Sequence, residues 1–214
     1  MANTATSMYF DGTDDYIEFP PASVDISNSD FTIEWWQWLV ANETNPGFFT
    51  TNRTASVPSF SISQSDSNNY KLVSAQSSTW DTANDLDIGT PTVGTWQHWA
   101  FVKTGNLKVR SFINGELNTT ATLAQDWTSV STKPAFGSWG AGSVNIYLDQ
   151  FRVSRVARYG NIDIPTTQLN TWQAAGRGQN ALLPHHTKLL IQSNTTTTTS
   201  SAIVDQSSYG HTIT

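Results

Sequence analysis

The sequence predicts an all-β, two-layer antiparallel sandwich, from three observations. Short runs alternate apolar and polar residues with the period of a strand. Turn residues interrupt them at short intervals, and helical periodicity is nearly absent along the 214 residues.

The runs can be taken in chain order. Phe31–Val40, FTIEWWQWLV, puts Phe31, Ile33 and Trp35 on one face and Glu34, Trp36 and Trp38 on the other. A strand with aromatic residues on both faces belongs at the centre of a sheet, covered at least in part on both sides. Phe60–Gln64 and Tyr70–Gln76 flank the turn-forming SDSNN and form a hairpin. Asp85 and Asp87 in NDLDIG fall in a stretch that reads as a loop bounded by Gly and Pro. Gln97–Leu123 holds three strand-like runs separated by Thr104-Gly105-Asn106 and Asn114-Gly115, a β-meander. Asn-Gly is the strongest signal there, because both residues tolerate the positive φ of a type I′ turn. Trp99 and Phe101 fall on its core face. Val144–Arg155 alternates again, and SRVARYG after it reads as one short helical turn ending at Gly160. Residues 161–186 read as a loop or linker, and 187–214 as terminal strands around a polar loop and an Asp-Gln-Ser-Ser-Tyr-Gly turn.

Composition bounds the function. Aromatic residues make up 12% of the chain, nine of them Trp, so a sizeable core is available without staples. Charged residues are only 13%, giving a neutral-polar surface of the kind found on extracellular or particle-exposed β-proteins. A net charge of −6 with no basic stripe excludes non-specific nucleic-acid binding. The lack of Cys excludes disulfides and zinc-thiolate sites. No apolar run is long enough for a membrane span, and MANTATSMYF has neither the basic nor the apolar part of a signal peptide.

Four segments together resemble the laminin-G-like, concanavalin A-like jelly-roll family: Met8–Pro20, Phe31–Leu39, Gly94–Leu117 and Ile146–Tyr159. They stand in the family's order and cover residues 8–160. The last, with LDQFRVS followed by ARY, is similar to modules on bacteriophage fibres and other virion surface proteins. The resemblance implies an antiparallel jelly roll spanning residues 1–214 as one domain. In that family the first strands precede the FDG segment; here LLIQSNTTTTTSSAIVDQSSYGHTIT resembles them placed last. A circularly permuted order is the expectation, the tail returning to pair with the N-terminal region, with donation of the tail to a neighbouring subunit as the alternative.

Enzymes of this fold hydrolyse β-glucans with carboxylates clustered on one strand. The four Glu here (Glu18, Glu34, Glu43 and Glu116) form no such cluster, and no Gly-x-Ser-x-Gly elbow occurs. No catalytic residue is therefore expected. Calcium is the one cofactor the family implies, bound by hard oxygen ligands. Its candidates are Asp11, Asp14, Asp15 and Asp149, against the simpler reading that Asp11 and Asp14 cap a tight turn and Asp149 bonds to backbone. The adjacent His185 and His186 point apart on any strand and offer no better metal site. For ligand binding, Trp36, Trp38, Trp96 and His98 fall on the face away from the main core, with Trp36 and Trp96 expected to pack inside the fold. Trp80, Trp127, Trp139 and Trp172 stand in loop-like contexts and are the better surface candidates.

The expected function is a non-catalytic binding or architectural module on a virion surface, a capsid decoration protein or fibre module. Its expected partners are viral structural proteins, surface glycans or further copies of itself in an oligomer. The alternative is a lectin module of a larger extracellular protein.

Overall fold

The computed structural model describes residues 7–54, 60–64, 68–74, 83–105, 107–124, 126, 133–139, 142–159 and 187–191, and positions 205, 207, 209 and 213. Its strands are β1 (Met8–Asp11), β2 (Ile17–Glu18), β3 (Phe31–Ala41), β4 (Gly47–Thr50), β5 (Phe60–Gln64), β6 (Tyr70–Ser74) and β7 (Ala83–Gly89). They continue as β8 (Trp96–Thr104), β9 (Lys108–Ile113), β10 (Glu116–Thr122), β11 (Ala135–Phe136) and β12 (Ser138–Trp139). The last are β13 (Gly142–Ser143), β14 (Asn145–Ser154) and β15 (Thr187–Ile191). The larger sheet runs β1-β14-β3-β8-β9-β10, with β15 also paired to β14. The second runs β2-β11-β4-β5-β6-β7, and β12 and β13 form a separate pair. The named strand pairs are antiparallel, as the jelly-roll expectation requires.

The core fills the space between the two large sheets. Trp35 and Trp99, cross-strand partners on β3 and β8, stack at 6.4 Å between ring centroids. Phe31, Phe48, Phe49, Phe60, Phe101, Phe136 and Phe151 pack around them and are buried. Within this apolar interior the Trp35 Nε1–H donates to Gln37 Oε1 at 2.7 Å, and Gln37 Nε2 donates to the Tyr70 hydroxyl at 2.6 Å. The relay satisfies an indole, an amide and a phenol that water does not reach. Burial pushes the Tyr70 hydroxyl well above the ordinary tyrosine range, although its bond to Gln37 opposes the shift.

The turn chemistry holds where it is local. Asn114 and Gly115 have φ of 53° and 91°, as a tight hairpin between β9 and β10 demands. Asn114 also ties this turn to β8, since its Oδ1 accepts from the His98 amide at 2.9 Å and its own amide donates to the His98 carbonyl at 2.8 Å. At Gly137, φ is 101° and an added Cβ would lie 2.6 Å from Phe10 Cε1, so a side chain there would displace a core ring.

Two readings need correction. The NDLDIG stretch is strand, not loop: β7 pairs with β6, with register shifts between Tyr70 and Lys71 and between Leu72 and Ser74. Those irregularities explain why a strict alternation is hard to see in it. SRVARYG forms no helical turn over its described residues; Arg155–Tyr159 is an irregular segment laid over the outer face of the larger sheet.

The tail meets β14 rather than β1. β15 pairs with Phe151–Ser154 while β1 pairs with Asn145–Leu148, so the two occupy successive stretches of one edge and run in the same direction. Leu189 and Ile191 are fully buried in the main core, and Ile191 bridges to Asp205. The Asp205 carboxylate accepts from the Ser207 amide and hydroxyl, both at 2.8 Å, which forms the Asp-x-Ser turn.

Candidate functional site

The outer face of the larger sheet has a covered half and an open half. Alternation along β3 sends Glu34, Trp36 and Trp38 outward, opposite Ala100, His98 and Trp96 of β8. Arg155–Tyr159 covers the first part: Ala157 and Tyr159 pack on a cluster of Trp36, Ala100, Val102 and Phe112. Beneath this cover Glu34 is fully buried. Arg152, its partner on β14, donates to Glu34 Oε1 through Nε at 2.7 Å, with Nη2 2.6 Å from the same oxygen. The Tyr159 hydroxyl donates to Oε2 at 2.7 Å, His98 Nε2 stands 3.4 Å from Oε2, and Arg158 Nε stands 3.6 Å from Oε1.

Electrostatics decides what Glu34 can do. Burial alone would raise its pKa, but the Arg152 charge, then the hydrogen bond and charge of His98, and then Arg158, hold it below the usual carboxylate range. Burial and the neighbouring carboxylate push the Tyr159 phenol far up, so it stays a donor. Burial, then the Arg152 charge, lowers Arg158, against the pull of Glu34. An ionised, fully enclosed carboxylate held by two guanidinium groups meets no substrate and offers no proton. It fastens the cover to the sheet.

The open half is aromatic. In the ladder Tyr9 of β1 pairs with Tyr147 of β14, Tyr147 with Trp38 of β3, and Trp38 with Trp96 of β8. Four aromatic side chains therefore stand in one row across four adjacent strands, all on the outer face. Tyr9 is 50% exposed, Tyr147 38% and Trp96 39%, with Trp38 half-buried between the last two. Tyr9 and Tyr147 stack at 4.7 Å; Trp38 and Trp96 meet edge-to-face at 6.3 Å. Val40, the next outward residue on β3, and Val93, bridged to Leu39, are exposed beside the row. Among the described residues, five of the eight exposed large hydrophobic side chains thus gather at this end of the sheet, with Tyr16, Leu117 and Tyr209 elsewhere.

Trp36 and Trp96 are both expected to be packed inside the fold. Trp36 is, at 9% exposed, but Trp96 is not, because it opens β8 beyond the reach of the 155–159 cover. Of the loop tryptophans, Trp139 is half-buried in β12, whereas Trp80, Trp127 and Trp172 lie outside the described residues. Tyr9 and Tyr147 lie outside the tryptophan candidates that the sequence offers. The available signal was the alternation of MYFD and IYLD, which sets each tyrosine on the face opposite Phe10, Ile146 and Leu148.

The calcium candidates fall into two places. Asp11 Oδ1 accepts from the Thr13 amide at 2.8 Å, and Asp15 Oδ2 accepts from the Asp11 amide at 3.0 Å, so these two fold the FDGTDD turn. Asp14 is exposed next to them. Asp149 is buried opposite Trp36, four positions along β14 from the Asn145 that pairs with Asp11. Among the described residues no three His, Cys, Asp or Glu side chains group as metal ligands would. Nor is any helix there long and apolar enough to cross a membrane.

A sandwich of this topology is expected to match known jelly rolls, and it does. The family model described as the concanavalin A-like lectin/glucanases superfamily matches residues 11–161. The chain belongs to this superfamily. No curated protein matches it by sequence. Among solved structures, it is similar to a candidate carbohydrate-binding protein from Bacteroides ovatus, with a TM-score of 0.57 and 16% identity over 97% of this chain and 58% of that one. It is similar also to botulinum neurotoxin type C, in a structure concerned with two ganglioside molecules, with a TM-score of 0.55 and 12% identity over 80% of this chain and 45% of the toxin. A sialidase from Trypanosoma rangeli shares the fold at a TM-score of 0.52 and 8% identity, over 72% of this chain and 26% of the enzyme. The chain thus spans little more than half of the first of these proteins and less of the others. At such identities the likeness to these structures describes the fold. What this member of the concanavalin A-like superfamily binds has to be read from its own surface.

Proposed function

We propose that the protein is a non-catalytic binding module that recognises sugars through the open half of its outer face. The observation that carries this is the row Tyr9–Tyr147–Trp38–Trp96. Sugar rings have apolar C–H faces and polar edges, and exposed indole and phenol groups suit both. Supporting it, the carboxylate most central to the sheet, Glu34, is sealed in an ion pair, which leaves the aromatic row as the chemistry available on this face.

For the setting we propose the surface of a virion or of a cell. The virion version rests on the likeness of Ile146–Tyr159 to phage fibre modules. Much of that segment has a local duty: Phe151 and Val153 fill the core, Arg152, Arg158 and Tyr159 hold Glu34, and Gln150, at φ 53°, marks the irregularity beside β3. Such a pattern describes how the sheet is built more than what it meets. The sugar-binding version is therefore the leading one, and a purely architectural contact with viral structural proteins or with further copies is the second.

The test is a glycan array probed with the wild type and with Trp96→Ala and Tyr147→Ala, alongside assembly onto particles measured separately. Losing one such aromatic is expected to cost ~2 kcal/mol of binding, roughly thirtyfold in affinity. Glycan binding unchanged in both variants would refute the assignment to this face; loss of assembly alone would favour the architectural version.

A further inference from the structure

We infer that the ligand of this face is an extended, unbranched and uncharged polysaccharide that crosses the strands at right angles, about one sugar ring to each strand. The inference rests on the sugar-binding reading above and concerns which sugar.

Direction follows from what borders the row. Moving along β3 one way, the next outward residue is Trp36, which is covered together with Ala157 and Tyr159. Moving the other way, the next outward residue is Val40, apolar but not aromatic, and beside it on β1 and β14 the flank is polar: Asp11 pairs with Asn145, and Asn145 Nδ2 donates to Glu43 Oε1 at 3.4 Å. A ligand therefore finds continuous aromatic surface only across the strands. Adjacent strands lie about 4.8 Å apart, so the row from β1 to β8 spans about 14 Å over three steps. An extended chain of equatorially linked pyranoses advances by nearly the same distance per ring. Side branches would meet the cover on one flank and the Asp11–Glu43 group on the other, which favours a linear chain.

The two ends of the row do different work. The tyrosines stack on each other at the strand spacing, 4.7 Å apart with planes 28° from parallel. They therefore cover a face of each other, and the Tyr9 hydroxyl, which donates to Asn145 Oδ1 at 3.5 Å, lies at the polar flank. The tryptophans meet at 66°, edge against face, and Trp96 at the end of the row is well exposed. Ring stacking thus belongs to the Trp96 end and hydroxyl bonding to the Tyr9 end.

Charge excludes acidic sugars. Among the described residues no Lys or Arg occupies a position in the row or at its Asp11–Asn145 flank, while Asp11 and Glu43 are there and the whole chain carries −6. Carboxylates accept hydrogen bonds from neutral hydroxyls and repel uronates and sialic acids.

The experiment is isothermal titration of the full chain with cello- and xylo-oligosaccharides from the disaccharide to the hexasaccharide, and with polygalacturonate as the charged polymer. Affinity in at least one neutral series should rise about tenfold between the disaccharide and the tetrasaccharide and level off beyond it, as rings are added to the row. Trp96→Ala should flatten that rise, with Tyr9→Ala as a second variant at the most exposed position. Polygalacturonate should bind at least about tenfold more weakly. Tight binding of a disaccharide with no gain on lengthening, or preference for the acidic polymer, would overturn the inference and leave sugar binding intact. Silence toward these oligosaccharides with binding of other glycans on the array would also overturn it. Silence toward every glycan would overturn both readings.

Discussion

Replacing Glu34 by Gln is the sharpest probe of how the outer face is held. The substitution preserves shape and removes one negative charge from a site shared by Arg152, Arg158, His98 and Tyr159. The guanidinium groups then lose this carboxylate in a buried space. Breaking a buried pair from one side costs about 3–5 kcal/mol, because the remaining charge is left uncompensated. In a domain of 150–250 residues each kcal/mol moves the Tm by about 2–4 °C, so the expected fall is roughly 6–20 °C at neutral pH. The pH dependence has a definite sign. The folded carboxyl is held below the ordinary value of 4.5, so Glu34 contributes stability above pH 4.5 and loses it progressively as the pH falls beneath that value. Calorimetry of wild type and Glu34→Gln from pH 7 to pH 3 should therefore show a gap in Tm that is constant at first and narrows below about pH 4.5. The double variant Glu34→Met, Arg152→Met should regain much of the loss at neutral pH, since an apolar pair of similar bulk leaves fewer unpaired charges. An unchanged Tm in Glu34→Gln at pH 7, or a gap that does not narrow in acid, would refute the account.

Two further outcomes are expected. Gly115→Val forces a β-branched residue to φ near 91° and should destabilise by ~1–3 kcal/mol in thermal unfolding; an equal Tm would mean the turn adapts without strain. Ending the chain before Lys188 removes the fully buried Leu189 and Ile191, worth roughly 1.5–3 kcal/mol each. The truncated protein should melt earlier or become insoluble if, as we propose, the tail belongs to the same domain; unaltered melting would show β15 to be dispensable.

Legibility in the sequence followed the range of each interaction. Asn114-Gly115 could be read because a type I′ turn is decided by two adjacent residues. The alternation of Phe31–Val40 could be read because a strand repeats every second residue, and it assigned Trp35 and Trp36 to opposite faces correctly. The aromatic row could not. Tyr9 and Tyr147 are 138 positions apart, and their alignment with Trp38 depends on register shifts between Asn145 and Ile146 and between Asp149 and Arg152. A slip of one residue would have turned Tyr147 into the core. The same holds for Glu34, whose lack of a nearby acidic residue was visible, while its ion pair with Arg152, 118 residues away, was not. Loop tryptophans are the natural expectation because loops usually carry recognition; here the row Tyr9–Tyr147–Trp38–Trp96 sits on strands.

The pairing of tryptophans has a spectroscopic consequence. Trp35 and Trp99 stack in the dry interior at 6.4 Å, while Trp38 and Trp96 meet at 6.3 Å on the open face. Indoles this close couple their excited states, so each pair should contribute its own signed band to the near-ultraviolet circular dichroism. Occupation of the proposed face would disturb the outer couplet and leave the buried inner one untouched. A ligand bound where we propose would thus be reported by the outer pair against the inner pair as an internal standard, and neither needs a label.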